Sequence, residues 1–332
     1  MRALVISNMA PSSATPGRGS FVRDQVAALR RITGVDVDLF EFPPGLSTYP
    51  LAALALRRRY GATALDIVHA HFGLTAWPAL ALRGMPHAVT LHGTDVRHPR
   101  TRRLMLPALD RMDLVAAVSE SLASELPASL GEIAILPAGV AMERFRPIPR
   151  EAARLALGLE PERPYLLFPA DPARAAKRFD RALQLAGDVQ LLTLGQTAPD
   201  HVTLAINAAN AVLVPSEAEG FGLAVLEALA CDVPVLATPV GIHAQALAGI
   251  EGTLCAPFDR DVWAAALAAT LAEPEPRIEG RARAAEYSTD VMARRVLAAW
   301  ESLLGAREAQ PTPVSASSAS VTSTERASAP SE

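Results

Sequence analysis

From the first residues on, short apolar runs alternate with stretches whose apolar positions recur at helical spacing. ALVIS (3–7), VDVDLFEF (35–42), DIVHAH (66–71), HAVTLH (87–92), LVAAVS (114–119) and IAILP (133–137) are predicted strands. Between them FVRDQVAALRRI, LAALALRRRY, TAWPALALR, RRLMLPALDRM and SESLASEL are predicted helices. Strands alternating with helices indicate a parallel sheet covered on both faces. The rhythm breaks at 137–151, where Pro137, Pro147 and Pro149 crowd together and mark a linker. It restarts with strands PYLLFPA (164–170), VQLLTLG (189–195), AVLVPS (211–216) and VPVLATP (233–239), and with helices predicted over 177–185, 223–230, 261–272 and 289–304. The pattern therefore predicts an α/β chain of two doubly wound, Rossmann-like domains, 1–145 and 146–288. A helix at 289–306 is expected to return to the first domain. The tail, 307–332, is rich in Ser, Pro, Ala and Thr and is expected to be disordered.

Ligands of open α/β sheets bind outside the carboxyl ends of the strands, so two such domains facing each other put the chemistry in the loops between them. The most informative loop is PSEAEGFGLAVLEALACDVPVLATPVG (215–241). Glu219 precedes Gly220-Phe221-Gly222, and Glu227 follows eight positions later in the helix that begins near Leu223. Glycines let backbone amides approach a ligand, and a helix N-terminus favours a phosphate. The pair suits a sugar and a ribose on either side of a diphosphate. An ordinary strand-to-helix turn, with one solvated and one buried glutamate, has the same local pattern.

Composition narrows the choice. Half of the 332 residues are hydrophobic, and the two cysteines, Cys231 and Cys255, lie among apolar neighbours. That favours a reduced compartment over a disulfide framework or zinc site. The opening MRALVISNMAP is too short in its apolar part for a signal peptide and reads as a strand. No run approaches a membrane span, so a cytoplasmic location is expected. Residues 1–150 hold 17 arginines against 12 acids, whereas the remainder holds 14 basic residues against 23 acidic. The excess includes Arg57, Arg58 and Arg59, then Arg97, Arg100, Arg102 and Arg103. Two readings stand: solvated helix faces, or a patch for an anionic acceptor or a peripheral membrane contact. No aromatic residues interleave with these arginines, so no nucleic-acid partner is expected. Only one basic residue, Lys177, is a lysine. In so Arg-rich a chain it marks either chance or a site that needs a compact ammonium. His69-Ala70-His71 invites a metal, but no Cys or carboxylate stands at suitable spacing. Asp36-Val37-Asp38 sits inside a strand pattern and reads as structural.

The 215–241 segment resembles the Glu-x7-Glu signature of the retaining glycosyltransferases of family 4, which have the GT-B architecture. The likeness rests on Pro215, Ser216, Glu219-Gly220-Phe221-Gly222-Leu223, Leu226-Glu227-Ala228 and Pro234-Val235, and it extends in order over most of 1–300. It implies transfer of a sugar from a nucleotide-diphosphate donor to a glycan or lipid-linked acceptor hydroxyl, with no metal and no cofactor. It also implies that Glu219 contacts the donor sugar, that the amides of Gly220, Phe221, Gly222 and Leu223 hold sugar and diphosphate, and that Glu227 binds the ribose. Gly17 and Gly19 resemble the family's closing loop, His92 its donor-contacting histidine, and Lys177 its diphosphate lysine. Asp95 falls to an acceptor-side or loop-ordering role. The family's Gly-Arg pair is missing near Asp171; Arg174 is the candidate substitute. The segment 196–209 is short for the loop that usually meets the base. A sugar-nucleotide epimerase and a weakly active paralogue serving as an assembly partner are the alternatives.

Overall fold

The computed structural model describes residues 1–195, 197–273 and 275–309. The tail expected beyond 307 lies, from residue 310 on, outside the described residues.

Six parallel strands form the first sheet: β1 Arg2–Ser7, β2 Asp36–Glu41, β3 Ile67–His71, β4 His87–Leu91, β5 Leu114–Ala117 and β6 Ala134–Ile135. Their order is β2-β1-β3-β4-β5-β6, so the chain reverses direction across the sheet between β1 and β3. The second sheet holds β7 Tyr165–Phe168, β8 Gln190–Thr193, β9 Ala211–Val214, β10 Val235–Ala237 and β11 Leu254–Cys255, in the order β11-β10-β9-β7-β8. Its reversal falls between β7 and β9. Both sheets are parallel throughout, as their fully buried central strands require.

Several helices differ from the periodicity reading. The predicted helix at TAWPALALR shrinks to Ala76–Ala79, and SESLASEL keeps only Glu120–Ala123. The helix expected over 177–185 starts later, at Phe179, because Arg178 adopts a left-handed φ of 56°. Lys177 therefore ends a 3-10 turn (Ala175–Lys177) ahead of the helix. The segment 196–209 contains a full helix, Pro199–Ala208. The C-terminal helix runs over Thr289–Glu308, slightly past its expected end.

That last helix packs on helix Ser20–Arg30: Met292, Ala293, Val296 and the fully buried Trp300 join Val22, Val26 and Leu29 over one face of the first sheet. The chain crosses back where Val140 N–H donates to Tyr287 O (2.8 Å) and Thr289 N–H donates to Val140 O (3.0 Å). Arginines hold the connecting segment against the second sheet's helices. Arg281 donates to the carbonyls of Met142, Phe145 and Ala230, and Arg277 to that of Ile148.

Candidate active site

A cleft of about 710 Å³ opens where the carboxyl ends of the two sheets face each other. The first sheet supplies Met9 beyond β1, Phe72 beyond β3 and His92 beyond β4; the second supplies Pro169 beyond β7 and Glu219 beyond β9. An adjoining cavity of about 430 Å³ is lined by the 15–21 loop, Asp171 and Gly195, and shares Arg174 and Glu227 with the first.

Glu219 is nearly buried, and Lys177 Nζ donates to both its carboxylate oxygens at 2.6 Å. The Ser216 hydroxyl donates to Oε1 at 2.7 Å. Burial alone would raise this carboxyl, but the Lys177 charge and the two kinds of hydrogen bond bring it below its ordinary value. Behind it, Thr238 Oγ1 donates to Ser216 O, and His243 Nδ1 to Thr238 O (2.9 Å). This chain fixes where Glu219 points.

The loop that follows is built on close backbone approach. A Cβ on Gly220 would collide with the His92 carbonyl of the first sheet, and Ser119 Oγ, also from the first sheet's side, donates to Gly220 O at 2.8 Å. Gly222 has φ 113° and sits against the His243 ring, where a Cβ would come within 2.5 Å. Helix Leu223–Ala230 then starts with no side-chain cap. Its first amides and positive dipole end lie on the cleft wall beside Lys177, where an anion would be stabilised.

Glu227 lines both cavities, half-buried. Burial outweighs the nearby Arg144 and holds its carboxyl up at about 7. Arg144 is itself paired with Asp24 at 2.6–3.0 Å, an ion pair that ties the connecting segment to helix Ser20–Arg30. Arg174 lines both cavities, exposed, with no side-chain partner among the described residues. Asp171 instead turns its carboxylate onto Ala173 N–H (2.9 Å) and shapes the loop.

On the opposite wall His92 packs between Phe21 and Phe72, with ring centroids 4.9 and 4.6 Å away. Its Nε2 lies 2.9 Å from His71 Nδ1. Burial holds His92 and His69 down to about 3 and His71 well below its ordinary value, so all three rings are neutral at neutral pH. Gly17 borders both cavities and Gly19 the smaller one. Asp95 does not border the cleft. Its buried carboxylate accepts from the amides of Gly73 (3.0 Å), His92 (3.1 Å), Gly93 (2.8 Å) and Val96 (3.1 Å), so it orders the loops beyond β3 and β4. The structure thus brings His92, Arg174, Lys177, Glu219, Glu227 and the Gly220–Leu223 amides to one cleft and leaves Asp95 behind the wall.

Sequence reasoning missed Gln25, Ser119, Thr238 and His243. Gln25 reaches His71 and Ser119 reaches Gly220 across long stretches of chain, while Thr238 and His243 lie at or just past the end of the 215–241 segment, apart from its two glutamates.

Residues 2–144 match the family model described as Glycosyltransferase Family 4, and residues 165–290 the one described as Glycosyl transferases group 1. The chain belongs to the family 4 glycosyltransferases. It is 29% identical over 302 residues to a D-inositol 3-phosphate glycosyltransferase of Mycolicibacterium paratuberculosis, covering 75% of this chain and 68% of that protein. A protein of the same name from Rhodococcus opacus is 27% identical over 316 residues, covering 77% and 70%. Among solved structures, the sucrose-phosphate synthase of Thermosynechococcus elongatus superposes with a TM-score of 0.73 at 20% identity, covering 92% of this chain and all of that one. Anabaena HepE in complex with UDP and glucose gives 0.67 at 16% identity, covering 91% and 100%. These likenesses establish the GT-B fold of this glycosyltransferase.

Proposed function

We propose that this glycosyltransferase moves a sugar from a nucleoside-diphosphate donor to an acceptor hydroxyl with retention of configuration, without a metal or a free-standing base. The observation that carries the reading is the convergence of Lys177, Arg174 and an uncapped helix end on one side of a cleft whose other side holds neutral His92. Negative charge builds on the leaving diphosphate in the transition state, and cations and amides aimed at it stabilise that charge. On this reading the unit 146–288 holds the donor and the unit 1–145 receives the acceptor. Glu219 contacts the donor sugar and Glu227 the ribose hydroxyls. Arg174 stands in for the family's absent Gly-Arg cation.

A thermal-shift screen with nucleoside diphosphates and sugar nucleotides tests donor binding, since a ligand of the native state raises the midpoint. Hydrolysis of the best donor then separates a transferase from a weakly active binding paralogue. Return of a donor with an inverted ring carbon and no transfer would mark an epimerase. D-inositol 3-phosphate, named in the relatives, is the first acceptor to try.

A second feature favours an acceptor reached at an anionic membrane surface. Leu46, Trp77 and Leu104 are exposed around an apolar groove of about 320 Å³ in the first unit, and helix Thr48–Tyr60, which lines one side of it, also carries the exposed Arg57, Arg58 and Arg59. Among the described residues no helix is long and apolar enough to cross a membrane. Vesicle binding tests the contact.

A further inference from the structure

Three histidine rings stack behind the cleft. His69 and His71 alternate along β3 onto the face covered by helix Ser20–Arg30 and the C-terminal helix, with ring centroids 4.9 Å apart and planes 19° apart. His92 continues the stack at 5.1 Å and 26°. His69 has both nitrogens occupied. The indole N–H of Trp300, which can only donate, meets Nδ1 at 3.0 Å, so Nε2 carries the proton and donates to Thr90 Oγ1 at 2.8 Å. His69 is therefore a fixed wall for His71.

Outward from His71 the protons are fixed in the same way, toward the cleft. The Gln25 amide nitrogen, from helix Ser20–Arg30, meets His71 Nε2 at 3.2 Å. An amide NH2 can only donate, so in a neutral ring Nε2 is the lone pair and Nδ1 carries the proton. His71 Nδ1–H then donates to His92 Nε2 at 2.9 Å. That uses the His92 lone pair at Nε2 and leaves its proton on Nδ1, which has no side-chain or backbone partner among the described residues. Gln25 and His71 are 6% and 1% exposed, so water does not compete for these bonds.

We infer that Gln25 and His71 are positioning residues that hold His92 in the Nδ1–H tautomer, so that its ring offers the cleft a hydrogen-bond donor and not a base. The group it meets is an oxygen with a lone pair, such as a sugar hydroxyl or a phosphoryl oxygen. The consequence for turnover rests on the proposed sugar transfer; the tautomer itself does not.

The full-length chain labelled with 15N-histidine provides the test. Long-range 1H–15N correlation separates protonated from bare ring nitrogens, and His92→Gln assigns His92 among the seven histidines. In the wild type His92 should show a protonated Nδ1 and a bare Nε2. Protonation at Nε2 overturns the inference without any variant. Gln25→Leu and His71→Leu should free His92 to shift toward its Nε2–H form. They should lower kcat for hydrolysis of the best donor among UDP-glucose, UDP-N-acetylglucosamine and GDP-mannose about tenfold, with the donor KM within about threefold. His71→Asn places an amide N–H near the former Nδ1 and should restore most of the rate, which a packing role would not predict. Folded Gln25→Leu and His71→Leu proteins with wild-type tautomer and wild-type kcat overturn it. If the wild type hydrolyses none of these donors, the sugar-transfer reading fails while the spectrum still decides the tautomer.

Discussion

Lys177 and Glu219 satisfy each other: the ammonium sits 2.6 Å from both carboxylate oxygens, 42 positions apart in the chain. The cation proposed for the diphosphate is thus held by the carboxylate proposed for the sugar. Lys177→Ala leaves that carboxylate nearly buried with only Ser216 for company, which should destabilise the chain by about 3 kcal/mol. Donor hydrolysis should fall with it, and Lys177→Arg should recover only part because a planar fork cannot reproduce the contact. Denaturant titration and turnover of the variants check both.

Glu219 also sets an acid limit. Its folded-state pKa is depressed, so the stability it contributes is present above the ordinary value of 4.5 and lost as pH falls through the lower folded value. Melting curves from pH 3 to 7 should show a steeper acid loss in the wild type than in Glu219→Gln.

Glu227 behaves in the opposite sense. Its carboxyl is held up at about 7 from 4.5, so its favourable contribution is full below 4.5 and is lost as pH rises through about 7. Glu227→Gln should therefore gain about 3 kcal/mol on the wild type at pH 8 and little at pH 5. Ribose hydroxyls would donate to the ionised form, so nucleoside diphosphate affinity should rise through pH 7 in the wild type. Calorimetry at pH 6 and 8 with Glu227→Gln as baseline, which should lack that extra rise, checks the sign.

Gly220→Ala places a methyl against the His92 carbonyl and pushes the loop away from the first sheet. Turnover should drop about 100-fold, the scale of a small misplacement of reacting groups. Nucleoside diphosphate binding should weaken as well, because the amides that follow Gly220 are the ones proposed to hold the diphosphate.

Trp300 is fully buried on the far end of the chain, and its N–H meets His69. Trp300→Ala should cost about 4 kcal/mol in urea unfolding, since a large core side chain is removed. A loss under 1 kcal/mol would show that the last helix is only loosely attached.

The exposed apolar groove predicts binding to anionic vesicles at low salt that weakens as salt screens the arginines. Replacing Leu46 and Leu104 with Ser, or Arg57–Arg59 with Ser, should each reduce it. Equal recovery with neutral vesicles would remove the electrostatic part of the reading.

Apolar runs and their alternation with helical stretches depend on neighbours in the chain, which is why ten of the strands were legible and β11, two residues long, was not. Glu219, the glycines and Glu227 lie within nine residues, so their spacing alone placed them on one loop and one helix. Helix Pro199–Ala208 escaped because its apolar positions are broken by Thr203 and Asn207, whose side chains reach carbonyls of the connecting segment that only folding brings near. The turn at Lys177 depends on one left-handed residue, Arg178, for which no glycine gave warning. The ring tautomer of His92 is set from Gln25 through His71, the engagement of Lys177 by Glu219, and the carboxyl of Glu227 by burial in a cleft wall. Hydrogen-bond direction and desolvation are properties of a surrounding, and the surrounding of each of these groups comes from elements far away in the chain.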